Sequence, residues 1–292
     1  MTDTAPVLEA RDLTKSFTLR NAIGLATSEV HAVDGVSFAI RPGETYGLVG
    51  ESGCGKSTTG RMLQMLDEPT SGSILFHGQP ISEFSRAEQQ AYRSKVQMIF
   101  QDPNSSLNPR KRIGAILNET LVIQGIRDKS ERSKRIVSAI EEVGFGEEHL
   151  VRYPHEFSGG QRQRIGVARA LVTHPEVILC DEAVSALDVS IQAQILNLLN
   201  RIQDEHGLSY LFISHDLSVV RYIADRVGVM SKGQLVEEAP VDELFAHPQH
   251  DYTKRLLDSI PHAHPRAAAV TATTAGATAT TAGATAGEGG AR

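Results

Sequence analysis

The stretch Gly50-Glu51-Ser52-Gly53-Cys54-Gly55-Lys56-Ser57-Thr58 decides the fold of this 292-residue chain. It fits G-x-x-x-x-G-K-S/T, the spacing of a loop that cradles the phosphates of a nucleoside triphosphate. Its glycines let the backbone approach an anion, Lys56 supplies a positive charge, and the Ser57 hydroxyl is placed to ligate Mg²⁺. A buried strand is predicted at residues 45–49 and a helix at residues 56–66. A strand, a loop and a helix in this order favour a phosphate site over a glycine-rich turn that binds nothing.

Composition restricts the classes of protein that this chain can be. Its formal net charge of −6 argues against a nucleic-acid binder that works through bulk basic charge. The two cysteines, Cys54 and Cys180, form neither a disulfide framework nor a metal cluster, which is typical of a reducing compartment. Residues 1–6 lack the basic and apolar regions of a signal peptide, and no apolar run is long enough to cross a bilayer. We therefore expect a chain that does not span a membrane but can lie against one.

Short apolar runs alternate with helical patterns along the chain. Strands are predicted at residues 7–13, 33–40, 73–77, 96–100, 177–180, 210–213 and 227–230, helices at 113–124, 130–143 and 162–171, and a loop at 21–29. This alternation indicates an α/β fold with a mostly parallel sheet covered on both faces. Beyond Pro265 the sequence is almost entirely Ala, Thr and Gly, with a repeated seven-residue unit, and predicts a disordered tail.

Polar side chains with catalytic potential follow several of these strands. Asp181 is placed to hold Mg²⁺ beside Ser57, and Glu182 to polarise a water for in-line attack on the γ-phosphate. His215, at another strand end, is a candidate for contacting the γ-phosphate and steadying that water. An acidic pair also occurs at ordinary helix N-termini, and a lone histidine is often a plain surface residue. The phosphate loop in the same chain favours the catalytic interpretation.

A second anion-binding segment is predicted at Ser158-Gly159-Gly160-Gln161, which opens a helix. One nucleotide does not need two such helix ends from a single protomer if they lie far apart. Two protomers packed head to tail would bring the phosphate loop of one against this segment of the other.

Taken together, these motifs resemble those of the ATP-binding-cassette (ABC) ATPases over residues 7–259. The chain carries their phosphate loop, a glutamine loop at Gln101, the signature at 158–161, the Asp181–Glu182 pair, a D-loop at 185–188 and a switch histidine at His215. The resemblance implies a P-loop NTPase fold with a RecA-like core, a mostly parallel sheet, an N-terminal antiparallel β part and an inserted helical subdomain at about 103–160. Residues 260–292 would be a C-terminal extension and tail.

The resemblance also implies roles for individual residues. Gln101 would join the Mg²⁺ shell with Ser57 and Asp181 and sense the γ-phosphate. The signature residues, Ser158, Gly159, Gly160 and Gln161, would close over ATP held by the other subunit, and Asp188 would communicate across that interface. Phe17 matches the aromatic residue that stacks on adenine, although an aromatic side chain after a strand is often just packing.

Within this family the chain is similar to the ATP-binding subunits of oligopeptide, dipeptide and nickel importers, on the segments at residues 100–110, 152–157 and 247–261. It departs from them at Ala183 and Asp251, where prolines are usual, and it lacks the cysteine-rich extension of some members. The implied partners are a second, related ATPase subunit, two integral membrane permeases and an extracytoplasmic solute-binding protein, at the cytoplasmic face of the membrane. The alternative is a non-transport ABC ATPase acting on DNA or ribosomes. The sequence does not name the solute.

Overall fold

The strands of the protein form two separate sheets. The computed structural model describes residues 5–20, 26–101, 107–185 and 187–259. In chain order, the strands in these residues are β1 (Leu8–Arg20), β2 (Ala26–Ile40), β3 (Thr45–Val49), β4 (Ser71–Phe76), β5 (Gln79–Pro80), β6 (Val96–Ile99), β7 (Val177–Asp181), β8 (Ser209–Ser214), β9 (Arg226–Ser231) and β10 (Gln234–Pro240).

The helices in the described residues lie between and after these strands. They are α1 (Lys56–Leu63), α2 (Arg86–Lys95), α3 (Ile113–Ile123), α4 (Lys129–Glu142), α5 (Gly159–Leu171), α6 (Val189–His206), α7 (Leu217–Ile223), α8 (Val241–Ala246) and α9 (Asp251–Asp258). Short 3₁₀ turns occur at Ile81–Glu83, Glu147–Val151 and Pro154–Glu156. No helix in the described part of the chain is long and apolar enough to cross a membrane.

The larger sheet has the order β10-β9-β3-β8-β7-β6 and is parallel except for β10, which pairs antiparallel with β9. Its central strands read as continuous apolar runs because both faces are covered. In β7, Ile178 and Cys180 pack into one buried cluster, whereas Val177 and Leu179 pack into the other. The same alternation divides the side chains of β8. The predicted parallel sheet with two covered faces is confirmed.

The smaller sheet is antiparallel, in the order β2-β1-β4-β5, and confirms the predicted N-terminal antiparallel part. Its first two strands are much longer than predicted. The loop prediction is wrong at residues 26–29, because Ala26, Ser28 and Glu29 pair with β1; residues 21–25 lie outside the described residues. The parts of β1 and β2 beyond the predicted strands are held by backbone hydrogen bonds between the two strands. These bonds do not require apolar and polar side chains to alternate, so they leave little pattern in the sequence.

Two helix boundaries differ from the prediction by three residues, and one helix was not predicted. Helix α1 ends at Leu63 rather than at residue 66, since Met65 has a φ of 56° and leaves the helical conformation. Helix α5 begins at Gly159 instead of residue 162, because Ser158 caps it. Helix α2 was not predicted, although Ser85 and Glu88 form a capping box that marks its start.

The region between β6 and α5 is helical, as predicted, with α3 and α4 packed against each other and against α5. Buried apolar side chains on these helices, including Leu117, Leu121 and Ile140, join the same cluster as one face of the large sheet. The predicted subdomain boundary near residue 103 lies outside the described residues. So do the C-terminal extension predicted to start at residue 260 and the disordered tail predicted beyond Pro265.

Candidate nucleotide site

The phosphate loop lies between the carboxyl end of β3 and the first turn of α1. Gly50 has a φ of 151° and Gly55 a φ of 109°, backbone conformations that favour glycine. A Cβ on Gly50 would come within 2.2 Å of the Met230 carbonyl oxygen, and one on Gly55 would come equally close to the Ala32 carbonyl oxygen. The loop is therefore held against neighbouring backbone so closely that glycine is required at both positions.

Lys56 lies inside the curve of this loop. Its side chain is buried, with 4% of the residue exposed. The ammonium donates to the carbonyl oxygens of Gly50, at 2.7 Å, and Glu51, at 2.9 Å. These contacts hold a buried positive charge within the loop, where an anion would be attracted.

Ser57 and Asp181 meet although they are 124 positions apart in the sequence. The Ser57 hydroxyl donates to an Asp181 carboxylate oxygen at 2.8 Å. Burial raises the pKa of Asp181, and the nearby charge of Glu182 adds to that rise, while the Ser57 hydrogen bond opposes it. A hydroxyl and a carboxylate at the mouth of a phosphate loop are oxygen ligands suited to Mg²⁺.

Glu182 forms a second polar cluster with Gln101 and His215. Gln101 Nε2 donates to Glu182 Oε2 at 2.7 Å, and His215 Nδ1 lies 3.3 Å from Glu182 Oε1. Glu182 has a φ of 47°, so the chain turns sharply directly after β7. After this turn the Glu182 side chain contacts Gln101 and His215, which follow β6 and β8.

The remaining loop residues differ in exposure. Glu51, Ser52 and Gly53 are exposed, and Thr58 is half-buried. Cys54 is buried, with its sulfur 3.7 Å from the Lys56 ammonium.

The signature segment caps α5 through its own side chains. Ser158 Oγ accepts from the Gln161 N–H at 3.3 Å, and Gln161 Oε1 accepts from the Ser158 N–H at 2.9 Å. Among the described residues, no hydrogen bond joins Ser158, Gly159, Gly160 or Gln161 to the phosphate loop of the same chain.

The other two predicted residues are exposed. Asp188 precedes α6, and its side chain makes no capping bond to that helix. Ala186, next to it in the D-loop, lies outside the described residues. Phe17 lies within β1, with 42% of the residue exposed, and the Lys15 ammonium is 5.3 Å from the centre of its ring. An exposed ring leaves a face available for stacking.

One contact to the loop was not predicted from the sequence. The Glu51 N–H donates to the hydroxyl of Tyr252, on α9, at 3.0 Å. No periodicity links residues 201 positions apart, so only the fold shows this contact.

The sequence signature of the family described as "ABC transporter" matches residues 33–185, more than half of the chain. The chain belongs to the ABC transporter family. As an ATP-binding subunit of that family, it binds and hydrolyses ATP. A second signature, described as the C-terminal region of oligopeptide/dipeptide transporters, matches residues 236–287.

Curated relatives agree with this assignment. An oligopeptide transport ATP-binding protein of Bacillus subtilis is 57% identical over 238 residues, which cover 81% of this chain and 78% of the relative. A dipeptide transport ATP-binding protein of Haemophilus influenzae is 48% identical over 263 residues, which cover 90% of this chain and 80% of the relative.

Solved structures with this fold are also ATP-binding cassettes. A Clostridium perfringens protein described as part of an ABC transporter complex has a TM-score of 0.70 and 28% identity, covering 83% of this chain and 92% of that one. A cassette solved as a post-hydrolysis dimer with ADP and phosphate has a TM-score of 0.69 and 27% identity, covering 80% and 98%. The predicted ABC-type fold is confirmed.

Proposed function

We propose that this ABC ATPase energises the import of oligopeptides, dipeptides or a related solute through membrane permeases. The observation that carries the proposal is the match of residues 236–287 to the C-terminal region of oligopeptide/dipeptide transporters, in a chain that is also about half identical to such ATP-binding subunits. The partners are two integral permeases and an extracytoplasmic solute-binding protein. The chain would act peripherally, at the cytoplasmic face of the membrane.

The chemistry proposed for the site follows from its two polar clusters. Ser57 and Asp181 would hold Mg²⁺, with Gln101 completing the shell, and the ion would neutralise charge on the phosphates. Lys56 would bind the β- and γ-phosphates. Glu182 would accept a proton from the attacking water, and His215 would orient that water. The 2.7 Å contact between Gln101 and Glu182 supports a site in which the metal shell and the base are neighbours.

We propose that the complete site needs two subunits. Ser158 to Gln161 hydrogen bond to one another in a capping arrangement and not to their own phosphate loop, which supports their use against ATP on another subunit. Asp188 is exposed, and in this proposal it lies at the interface between the two ATPase subunits. In importers similar to this chain the second subunit is often a different, related protein, so we expect a heterodimer.

A groove between α3 and the end of β6 is the proposed permease-docking surface. It has a volume of about 250 Å³ and is lined by Gln64, Leu66, Gln97, Met98, Phe100, Thr120, Ile123, Gln124 and Arg169. Ile123 is 69% exposed and Leu66, which also lines the groove, is 50% exposed, so two large apolar side chains are exposed together at this surface. An apolar segment of a partner would bury them.

The test uses the full chain reconstituted with a second ATPase subunit and permeases in liposomes. We expect ATP hydrolysis to rise when the permeases and a peptide-loaded binding protein are present, and not when DNA or ribosomes are added. Ile123→Glu should reduce this stimulation and leave unstimulated hydrolysis unchanged, whereas Val151→Glu, an exposed apolar control outside the groove, should not. Stimulation by DNA or ribosomes alone would replace the transport proposal with the non-transport alternative.

A further inference from the structure

Among the described residues, helix α9 is hydrogen-bonded to the phosphate loop through one hydroxyl group. Tyr252 is buried, at 8% exposure, and its hydroxyl accepts a hydrogen bond from the Glu51 N–H. Among the described residues, this is the one hydrogen bond between α9 and the loop. A cavity of about 420 Å³ separates the two elsewhere, lined by Glu51, Ser52, Gly53, Cys54, Ser231, Lys232, Tyr252, Arg255, Leu256 and Ser259. If the Tyr252 hydroxyl is removed, no other described group of α9 is hydrogen-bonded to the loop in its place.

The position of Tyr252 is fixed from the large sheet. Glu237, on the edge strand β10, accepts hydrogen bonds from the Gln249 N–H at 2.7 Å and the His250 N–H at 2.9 Å. His250 Nδ1 in turn accepts from the Tyr252 N–H at 3.1 Å, at the first turn of α9. These bonds tie the start of the helix to the same sheet that carries the phosphate loop, so the tyrosine ring has a defined place against the loop.

Glu51 links the Tyr252 hydrogen bond to the ammonium group of Lys56. Its N–H is held by Tyr252, and its carbonyl oxygen accepts from the Lys56 ammonium at 2.9 Å. A shift of Glu51 would therefore move one of the two carbonyl oxygens that hold Lys56. Backbone N–H groups and a lysine bind phosphate best when their geometry is fixed before the ligand arrives.

We propose that Tyr252 is a positioning residue of the ATP site, which fixes the phosphate loop through Glu51 and thereby fixes Lys56. The inference rests on the proposed role of Lys56 in binding phosphate. It gives the C-terminal region, which follows the catalytic motifs in sequence, an indirect part in nucleotide binding, through Glu51 and Lys56. Tyr252 itself need not touch the nucleotide.

The test is Tyr252→Phe in the full-length chain, because phenylalanine keeps the buried ring and removes only the hydroxyl. Equilibrium titration with a fluorescent ATP analogue should show a dissociation constant raised about three- to tenfold, as expected for one lost hydrogen bond. ADP should be affected equally, since the loop holds phosphates common to both nucleotides. The melting temperature should fall by no more than about 2–4 °C, the shift expected for one lost hydrogen bond in a chain of this size.

Amide hydrogen exchange distinguishes a local effect on the phosphate loop from a general loss of stability. In Tyr252→Phe, mass spectrometry should show faster exchange in the peptide containing Glu51, and unchanged exchange in the strands of the large sheet. Tyr222→Phe is the matched control: its exposed hydroxyl donates to Asn197, and its removal should change neither nucleotide affinity nor exchange at Glu51.

The possible outcomes are distinct. Unchanged affinity together with unchanged exchange at Glu51 would overturn the inference. A larger fall in the melting temperature with faster exchange throughout the chain would also overturn it, because it would assign Tyr252 to general stability. If faster exchange at Glu51 occurs with unchanged affinity, the hydrogen bond is real and its role in nucleotide binding is refuted. Failure of the parent protein to bind nucleotide would instead refute the proposed role of Lys56.

Discussion

Replacing Glu182 with glutamine should separate ATP binding from ATP hydrolysis. The carboxylate receives a hydrogen bond from Gln101 on one oxygen, and His215 lies 3.3 Å from the other. A glutamine has nearly the same shape and keeps one oxygen acceptor. Rotation of the Gln101 amide, or a change of the His215 tautomer, can present an acceptor to the new amide N–H₂. The substitution therefore removes the proposed base with little disturbance of its surroundings.

The expected effect on the rate of ATP hydrolysis follows from the role proposed for the Glu182 carboxylate. A positioned general base contributes about 10²- to 10⁴-fold to the rate of a reaction. That range corresponds to about 3–5 kcal/mol of activation free energy. In the described part of the chain, the polar contacts of the Glu182 side chain are with Gln101 and His215, whereas Lys56 is held by loop carbonyl oxygens. We therefore expect kcat to fall by about 10²- to 10⁴-fold while ATP affinity is largely retained.

The assay compares single-turnover hydrolysis with equilibrium binding of ATP. Size-exclusion chromatography in ATP should show the variant accumulating as a dimer, because closure needs binding and reopening needs hydrolysis. Glu205→Gln is a suitable control, since Glu205 is an exposed acid on α6 that pairs with Arg201. Near-normal turnover in Glu182→Gln would refute the assignment of the base. Equal loss of binding and hydrolysis would instead make Glu182 part of the binding surface.

Two further predictions concern stability. Burial raises the pKa of Asp181 above its unfolded value, so its ionised carboxylate destabilises the fold at neutral pH. Asp181→Asn should therefore raise the melting temperature at pH 7, and this gain should disappear in acid, below the pKa of the unfolded carboxyl. The same substitution should lower Mg²⁺-dependent hydrolysis by about 100-fold. An unchanged or lower melting temperature at pH 7 would contradict the stability prediction. Arg226→Ala leaves the buried Glu44 carboxylate without its 2.9 Å partner and should lower the free energy of unfolding by about 3 kcal/mol. Denaturant titration should show this loss, with Lys111→Ala as the control. Losing the exposed ion pair of Lys111 with Glu119 should lower the free energy of unfolding by under about 1 kcal/mol. Equal losses in the two variants would refute the prediction for Arg226.

Much of the site could be predicted because it lies at one edge of a parallel sheet. Gln101 and His215 follow β6 and β8, Asp181 ends β7, and the phosphate loop follows β3. The carboxyl ends of parallel strands meet at the same edge, so motifs at successive strand ends converge without any knowledge of side-chain contacts. The 2.8 Å bond between Ser57 and Asp181 is a direct consequence of this topology.

Other features could not be predicted, since they depend on pairing or packing that leaves no local pattern. The outer half of the β1–β2 hairpin is ordered by its partner strand, and its residues do not alternate clearly between apolar and polar. The contact of Tyr252 with Glu51 depends on how α9 lies against the sheet. Helix α2 is a different case, because the Ser85–Glu88 capping box is a signal in the sequence from which its start can be predicted.

The backbone at Glu182 explains how two adjacent acids serve different parts of the site. In a regular strand, consecutive side chains point to opposite faces, and one of these two would face the buried layer beneath the sheet. The left-handed conformation of Glu182 ends the strand instead, while its N–H still donates to the Ile213 carbonyl oxygen of β8 at 3.0 Å. Asp181 thus stays buried beside Ser57, and Glu182 reaches Gln101 and His215. A left-handed residue other than glycine carries a conformational cost, and here that cost separates the proposed metal-binding carboxylate from the proposed base.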